Sequence, residues 1–182
     1  ATLKLFDDGP LIETGRTLDF AIAGEGFFAV QDSQGRILYT RDGVFNTSNI
    51  EGRNYLVNSS GYLVLDKNNN PIVIEGDINN LIVDAKGVMT IDGEHVADLG
   101  IFTFDNPSGL EAVGSTSYIP SDNSGEARAA GGAVKQKYYE GSNVDITKEM
   151  TSLIKAQRAY SLLSQAVKTA DQMESMANNL RG

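Results

Sequence analysis

The 182-residue chain has no cysteine and no tryptophan, one histidine and four prolines. Without thiols there is no disulfide and no thiolate metal site, and the redox compartment stays open, since such a chain behaves alike on either side of a membrane. The missing tryptophan lowers a carbohydrate-binding reading without removing it, because sugar clefts often stack on indole. Positive charge is also scarce: 15 Lys and Arg face 24 Asp and Glu, a formal charge of −9. That balance argues against nucleic acid, whose phosphates need a basic face. No apolar run approaches the roughly 18 residues of a membrane span, and the first residues lack the charged-then-apolar order of a cleavable signal. The chain opens on Ala1 rather than Met, which suggests a processed or truncated piece.

Gly and Pro, the residues most costly inside a helix, are missing altogether between Ser142 and Arg181. The spacing predicts a helix over 142–182, with Ser142 as N-cap, Asp145 and Glu149 in the first turns, Arg181 in the last and Gly182 as the stop. Apolar or small side chains recur at Ile146, Met150, Leu153, Ile154, Tyr160, Leu163, Val167, Ala170, Met173, Ala177 and Leu180. Steps of three and four draw these into one stripe. A helix of that length runs about 60 Å, whereas a compact body made from residues 1–141 is roughly 37 Å across. If half of the eleven side chains gain ~1.5 kcal/mol each on burial, about 8 kcal/mol goes unclaimed without a covering partner. The stripe is therefore expected to be the subunit interface, buried by something outside this chain.

Residues 1–17 hold turn signals at Asp7-Asp8-Gly9-Pro10 and Thr14-Gly15 and are expected to be an extended connector. From Leu18 to Phe104, short β-branched and aromatic runs alternate with turn residues: LDFAI (18–22), GFFAVQ (26–31), ILYT (37–40), YLVN (55–58), YLVL (62–65), IVI (72–74), LIVD (81–84), VMTI (88–91) and LGIFTF (99–104). Ser33-Gln34-Gly35, Ser59-Ser60-Gly61, Ala85-Lys86-Gly87 and Asp92-Gly93 lie where hairpins need a positive φ. Residues 18–104 should form an antiparallel β domain. In 105–132 half of the residues are Gly, Ser, Pro or Asn, and 105–141 is expected to be a linker and return strand, with AVKQKYYEG (133–141) leading into the helix. The fold class is mainly β with a long C-terminal α-helix.

Signals for chemistry are weak. A lone His95 in Asp92-Gly93-Glu94-His95, with no second His or Cys, is better read as a solvated turn than as a metal ligand or general base. Asp66-Lys67-Asn68-Asn69-Asn70 starts like a calcium loop but continues with Pro71 where Gly is needed and Asp77 where Glu is needed, so a polar turn is expected. Gly24-Glu25-Gly26 has no helix after it and suits a bulge or tight crossing rather than a phosphate cradle. The three Asn with Ser or Thr beside them (Asn46, Asn58, Asn123) are turn chemistry. With 24 acidic residues, a glycosidase-like carboxylate pair is neither supported nor excluded. No enzyme, cofactor or metal is expected. The alternative is an extracellular carbohydrate-binding or adhesin β module on a helical stalk, which would need a concave aromatic face among Tyr39, Tyr55, Tyr62 and Tyr118.

Leu18-Asp19-Phe20-Ala21-Ile22-Ala23-Gly24-Glu25-Gly26-Phe27-Phe28, then Tyr39-Thr40-Arg41-Asp42-Gly43-Val44-Phe45 and Gly61-Tyr62-Leu63-Val64, resembles the core signature of bacterial flagellar rod and hook proteins. Ser142-Asn143-Val144-Asp145, Glu149-Met150, Gln157-Arg158-Ala159-Tyr160 and Thr169-Ala170-Asp171-Gln172-Met173 resemble the C-terminal motif of that family. Two motif sets in the family's order span nearly the whole chain. Gly109-Leu110-Glu111 with Gly114 and Tyr118 fits the subgroup of distal rod proteins and Gram-positive hook-basal body proteins. The resemblance implies a structural subunit of the basal-body rod. Terminal helices would pair as a coiled coil and line a hollow tube that transmits torque and passes exported subunits. It implies as partners copies of this chain, other rod and hook proteins and the flagellar export apparatus, with export needing no cleaved signal. Family members begin with an N-terminal helix, so this chain is expected to be a piece lacking it.

Overall fold

The computed structural model describes residues 9–141 and 146–179. The chain divides into two compact units, Ala1–Asn143 and Val144–Gly182. Sixteen strands and two short 3-10 turns (Ile78–Asn80 and Pro107–Gly109) precede one α-helix among the described residues: β1 (Leu11–Glu13), β2 (Phe20–Ala23), β3 (Phe27–Gln31), β4 (Ile37–Thr40), β5 (Phe45–Ile50), β6 (Arg53–Asn58), β7 (Leu63–Val64), β8 (Leu81–Val83), β9 (Val88–Ile91), β10 (Glu94–Asp98), β11 (Ile101–Thr103), β12 (Glu111–Val113), β13 (Ser117–Ile119), β14 (Arg128–Ala129), β15 (Ala133–Gln136), β16 (Tyr138–Glu140) and α1 (Ile146–Asn179). The strand pairings are antiparallel. Mainly β with a C-terminal helix is the fold the sequence led one to expect.

One loop design, repeated four times, makes several of the tight turns. Asp32, Asn58, Asp66 and Asp84 each accept backbone N–H bonds through one side-chain oxygen from the residues two and four further on, at 2.8–3.0 Å. The residue three further on turns the chain at positive φ: Gly35, Gly61, Asn69 and Gly87. Asx side chains satisfy the turn's N–H groups, and glycine or asparagine tolerates the left-handed conformation. Asp66-Lys67-Asn68-Asn69-Asn70 is thus a polar turn.

The central sheet runs β12-β13-β4-β3-β7-β6-β5, with β11 joining β3 to β14. It is covered on both faces. Along β3, Phe28 and Val30 belong to a core with Phe20, Leu38, Phe45, Leu56 and Met89; Phe27 and Ala29 point into a second with Tyr39, Phe102, Phe104 and Leu110. Alternate residues face opposite sides, so a strand buried on both reads as an unbroken apolar run. The three-stranded sheet β8-β9-β10 brings Leu81, Val83, Met89 and Ile91 to the first core.

The stretch 105–141, expected as a linker and return strand, instead carries five strands. β12 and β13 extend the central sheet from β4, β14 pairs with β11, and β15 pairs with β2. Its composition hid this, because each strand has only two to four residues and few of them are buried: Ser117 on β13 and Val134 on β15, with Leu110 just before β12. Residues 133–141 break into two strands at Lys137, whose φ is 68°, so that β15 follows β2 while β16 pairs with β1. The described part of the expected connector, 9–17, supplies β1. IVI at 72–74 is not a strand: after Pro71, isolated bridges hold it, although Ile72 and Ile74 are buried. Polar β5 was overlooked, because it takes its strand from pairing with β6 over six residues.

α1 spans 34 residues, about 51 Å at 1.5 Å per residue. The expected N-cap Ser142 and stop Gly182 lie outside the described residues.

Candidate functional site: motif core and helix face

The N-terminal motif residues converge although the chain separates them. Phe45 sits between Phe20 and Phe28, ring centroids 5.8 and 5.3 Å away. Phe20 N donates to Gly43 O (2.9 Å) and Phe45 N to Leu18 O (3.1 Å), beside a bridge between Asp19 and Val44. Asp19 is buried, and Arg16 donates to its carboxylate at 2.9 Å. Thr40 Oγ1 donates to Thr116 O (2.7 Å) and accepts from Asp42 N (3.0 Å). Ala21 and Ile22 are buried on β2, and Gly24 and Gly26 turn the chain into β3 at positive φ. Arg41 reaches back over that turn, donating to Gly24 O (2.7 Å), Gly26 O (2.9 Å) and Glu140 Oε2 (2.7 Å). This cluster is packing and hydrogen bonding.

Two residues the sequence did not flag tie distant strands. Gln136 donates to Thr17 O and Leu81 O, both at 2.9 Å, and accepts from Val83 N. Glu140 joins Arg41 and accepts from Gly9 N at 2.9 Å. One Gln and one Glu in AVKQKYYEG carry no spacing signal that would have found them. Among the described residues, no buried side-chain polar atom lacks a hydrogen-bond partner.

The described side chains of the predicted stripe are exposed, from 48% for Ile154 to 74% for Tyr160, with Met150, Leu153, Leu163, Val167 and Met173 between; Leu162, off the stripe, is exposed as well. Ile146, Leu153, Tyr160 and Val167 recur every seven residues, the spacing of a supercoiling seam. Gln157 and Arg158 are exposed on the same helix. Ile146, Ala170, Asp171 and Ala177 lie on α1, but their side chains are outside the described residues, as are Ser142, Asn143, Val144 and Leu180 entirely. No described helix is long and apolar enough to cross a membrane.

The chemical candidates resolve into surface structure. His95 Nε2 lies 2.8 Å from Asp98 Oδ1, and Lys67 Nζ contacts the other Asp98 oxygen. An open groove of about 560 Å³ is lined in part by Asp66, Glu75, Asp92, Glu94, His95 and Asp98, yet among the described residues no three His, Asp or Glu are grouped to hold a metal ion. The four tyrosines do not share a face. Tyr39 and Tyr118 are cross-strand partners at the second core, Tyr62 packs on the first, and Tyr55 sits on β6 opposite Ser48. Burial pushes the Tyr39 hydroxyl pKa up.

Hydrogen bonds from Lys67 and then His95 hold the Asp98 carboxyl below its usual pKa, and Asp98 raises that of Lys67. A carboxyl depressed on folding stabilises the fold above its unfolded pKa, and that contribution disappears as pH falls through the folded value. The raised lysine contributes below its ordinary pKa and loses its contribution as pH rises through the folded one. Asp98→Asn should therefore lower Tm at pH 7 and flatten its fall below about pH 4. Thermal melts from pH 2 to 7 check this, and parallel curves for both proteins would refute it.

Among the described residues, a β body buried on two faces is followed by a long helix with exposed apolar side chains. Comparison with known proteins places that arrangement in a family. The family described as "Flagellar hook protein FlgE/F/G D1 domain" matches residues 21–91, and "Flagellar basal body rod FlgEFG protein C-terminal" matches 135–180. The flagellar basal-body rod protein FlgG of Agrobacterium fabrum is 38% identical over 191 residues, covering 98% of this chain and 70% of that protein. FlgG of Bacillus subtilis is 40% identical over 184 residues (92% and 67%), and the Bacillus subtilis flagellar hook-basal body complex protein FlhP is 33% identical over 187 residues (96% and 69%). The chain belongs to the flagellar rod and hook protein family, and its role is structural. The carbohydrate-binding alternative finds no support.

Proposed function

We propose that this chain is a subunit of the flagellar basal-body rod that assembles through its terminal helix. The observation that carries the reading is the row of exposed apolar side chains on α1, on a chain whose relatives are named as rod proteins over nearly its full length. Such a row in water is a liability unless a partner covers it. Copies packing head to tail without closing a ring yield a helical tube, whose wall carries torque and whose bore passes later subunits. The helix unit acts as the inner, associating layer and the β unit as the outer one. Partners are further copies, other rod and hook proteins, and the flagellar export apparatus. The work is mechanical and needs no cofactor or catalytic group.

Leu153→Glu with Val167→Glu tests it. Losing two buried aliphatic contacts of ~1.5 kcal/mol each should weaken association about 100-fold, read by light scattering of the purified chain across concentration, and abolish motility in cells. The β unit should melt as before. Unchanged association and normal swimming would reject the proposal.

A further inference from the structure

β1 and β16 form a two-stranded ribbon of their own, with Leu11 opposite Glu140, Ile12 opposite Tyr139 and Glu13 opposite Tyr138. At its end Gly141 N donates to Pro10 O at 2.9 Å, and a Cβ on Gly9 would stand 1.9 Å from Gly141 O. Gly9 and Gly141, the first and last described residues of the body, therefore lie side by side. Yet the ribbon contributes no side chain to either hydrophobic core; Ile12 is exposed and the three residues of β16 are half-buried. A segment with so little apolar burial opens at the low end of local stability.

Its attachment is polar. Lys137 N donates to Asp19 O at 2.7 Å, and Arg41 spans the gap at the far end. The guanidinium, 17% exposed, holds Glu140 Oε2 while capping two carbonyls of the Gly24–Gly26 turn. The other Glu140 oxygen holds Gly9 N. One planar fork thus binds the turn before β3 to β16, and Glu140 passes the hold on to Gly9, two residues before β1. Charge-assisted bonds of this geometry are the strong ones, and a lysine, a single point of charge, cannot reproduce the fork.

We propose that Arg41 and Glu140 are positioning residues: they clasp the ribbon to the body and so fix where and how stiffly the terminal segments leave it. This rests on the assembly reading above, because stiffness at that exit matters only if the following helix carries load between subunits.

Hydrogen exchange on the whole chain, wild type against Arg41→Ala, reads the clasp directly. The amides of Thr14 and Gly141, which bond across the ribbon, should exchange at least ten-fold faster, with those of Leu56 and Leu65 in the core unchanged. Arg41→Lys should fall between. No change in the ribbon, or an equal rise everywhere, would overturn the proposal. In cells, Arg41→Ala should cut the number of assembled rods at least ten-fold. A loosened ribbon with normal rod numbers would overturn the positioning role and leave the rod reading standing, whereas intact assembly of the Leu153→Glu/Val167→Glu chain would remove that reading whatever the ribbon does.

Discussion

Phe45→Ala should lower the stability of the β unit by about 3–5 kcal/mol, the range for deleting a buried aromatic ring. Phe45 is fully buried, and its ring meets Phe28 edge-on and Phe20 at a tilt, arrangements that add to the area term. The gap would open where β2, β3 and the start of β5 meet, so the neighbours cannot close over it without shifting three strands. For a domain of this size the loss is a fall in Tm of about 10 °C or more. Calorimetry checks it, with Phe45→Leu expected to recover a large part. A loss below about 1 kcal/mol would mean that the site collapses around the missing ring.

Gly43→Ala should cost about 3 kcal/mol, at the upper end of overpacking changes, although it adds one methyl group. A Cβ there would stand 1.9 Å from Phe20 O and 2.8 Å from Phe28 Cε2. The first contact is backbone, which cannot rotate aside, and Gly43 O is itself the acceptor for Phe20 N. The β2 strand must move away, losing that bond and loosening the Phe20–Phe45 contact. Gly61→Ala is the control: its Cβ would meet nothing within 4 Å, and only its φ of 80° is strained, a cost of about 1 kcal/mol. Denaturant melts of the two variants separate crowding from backbone strain. Equal losses would show that the close approach at Gly43 relaxes freely.

Both substitutions strike the motif that marked the family, which explains why it was legible. Leu18 to Phe28 and Tyr39 to Phe45 are dense in aromatics and glycine because the chain crosses itself there, and no buried side-chain polar atom in the motif lacks a hydrogen-bond partner. Local rules found the turns: an Asx residue three before a Gly or Asn satisfies its own loop without help from the rest of the chain. The same rules failed at 105–141, where strands of two to four residues exist only because β4, β11, β2 and β1 offer edges to pair with. Arg41 was visible as a motif residue, but its partner Glu140, 99 positions away, was not.

The sequence by itself determined the class: a cysteine-free, acidic chain of short alternating strands with a helix too long and too apolar on one side to stand alone. Those are properties of composition and of near neighbours along the chain, and they survive without coordinates. Only the tertiary structure decided that the supposed linker completes both cores, that β1 returns to pair with β16, and that Arg41 joins the turn before β3 to Glu140. Such contacts join residues up to 131 positions apart, and packing and hydrogen-bond satisfaction over the whole body select them, not any pattern within a single window of sequence.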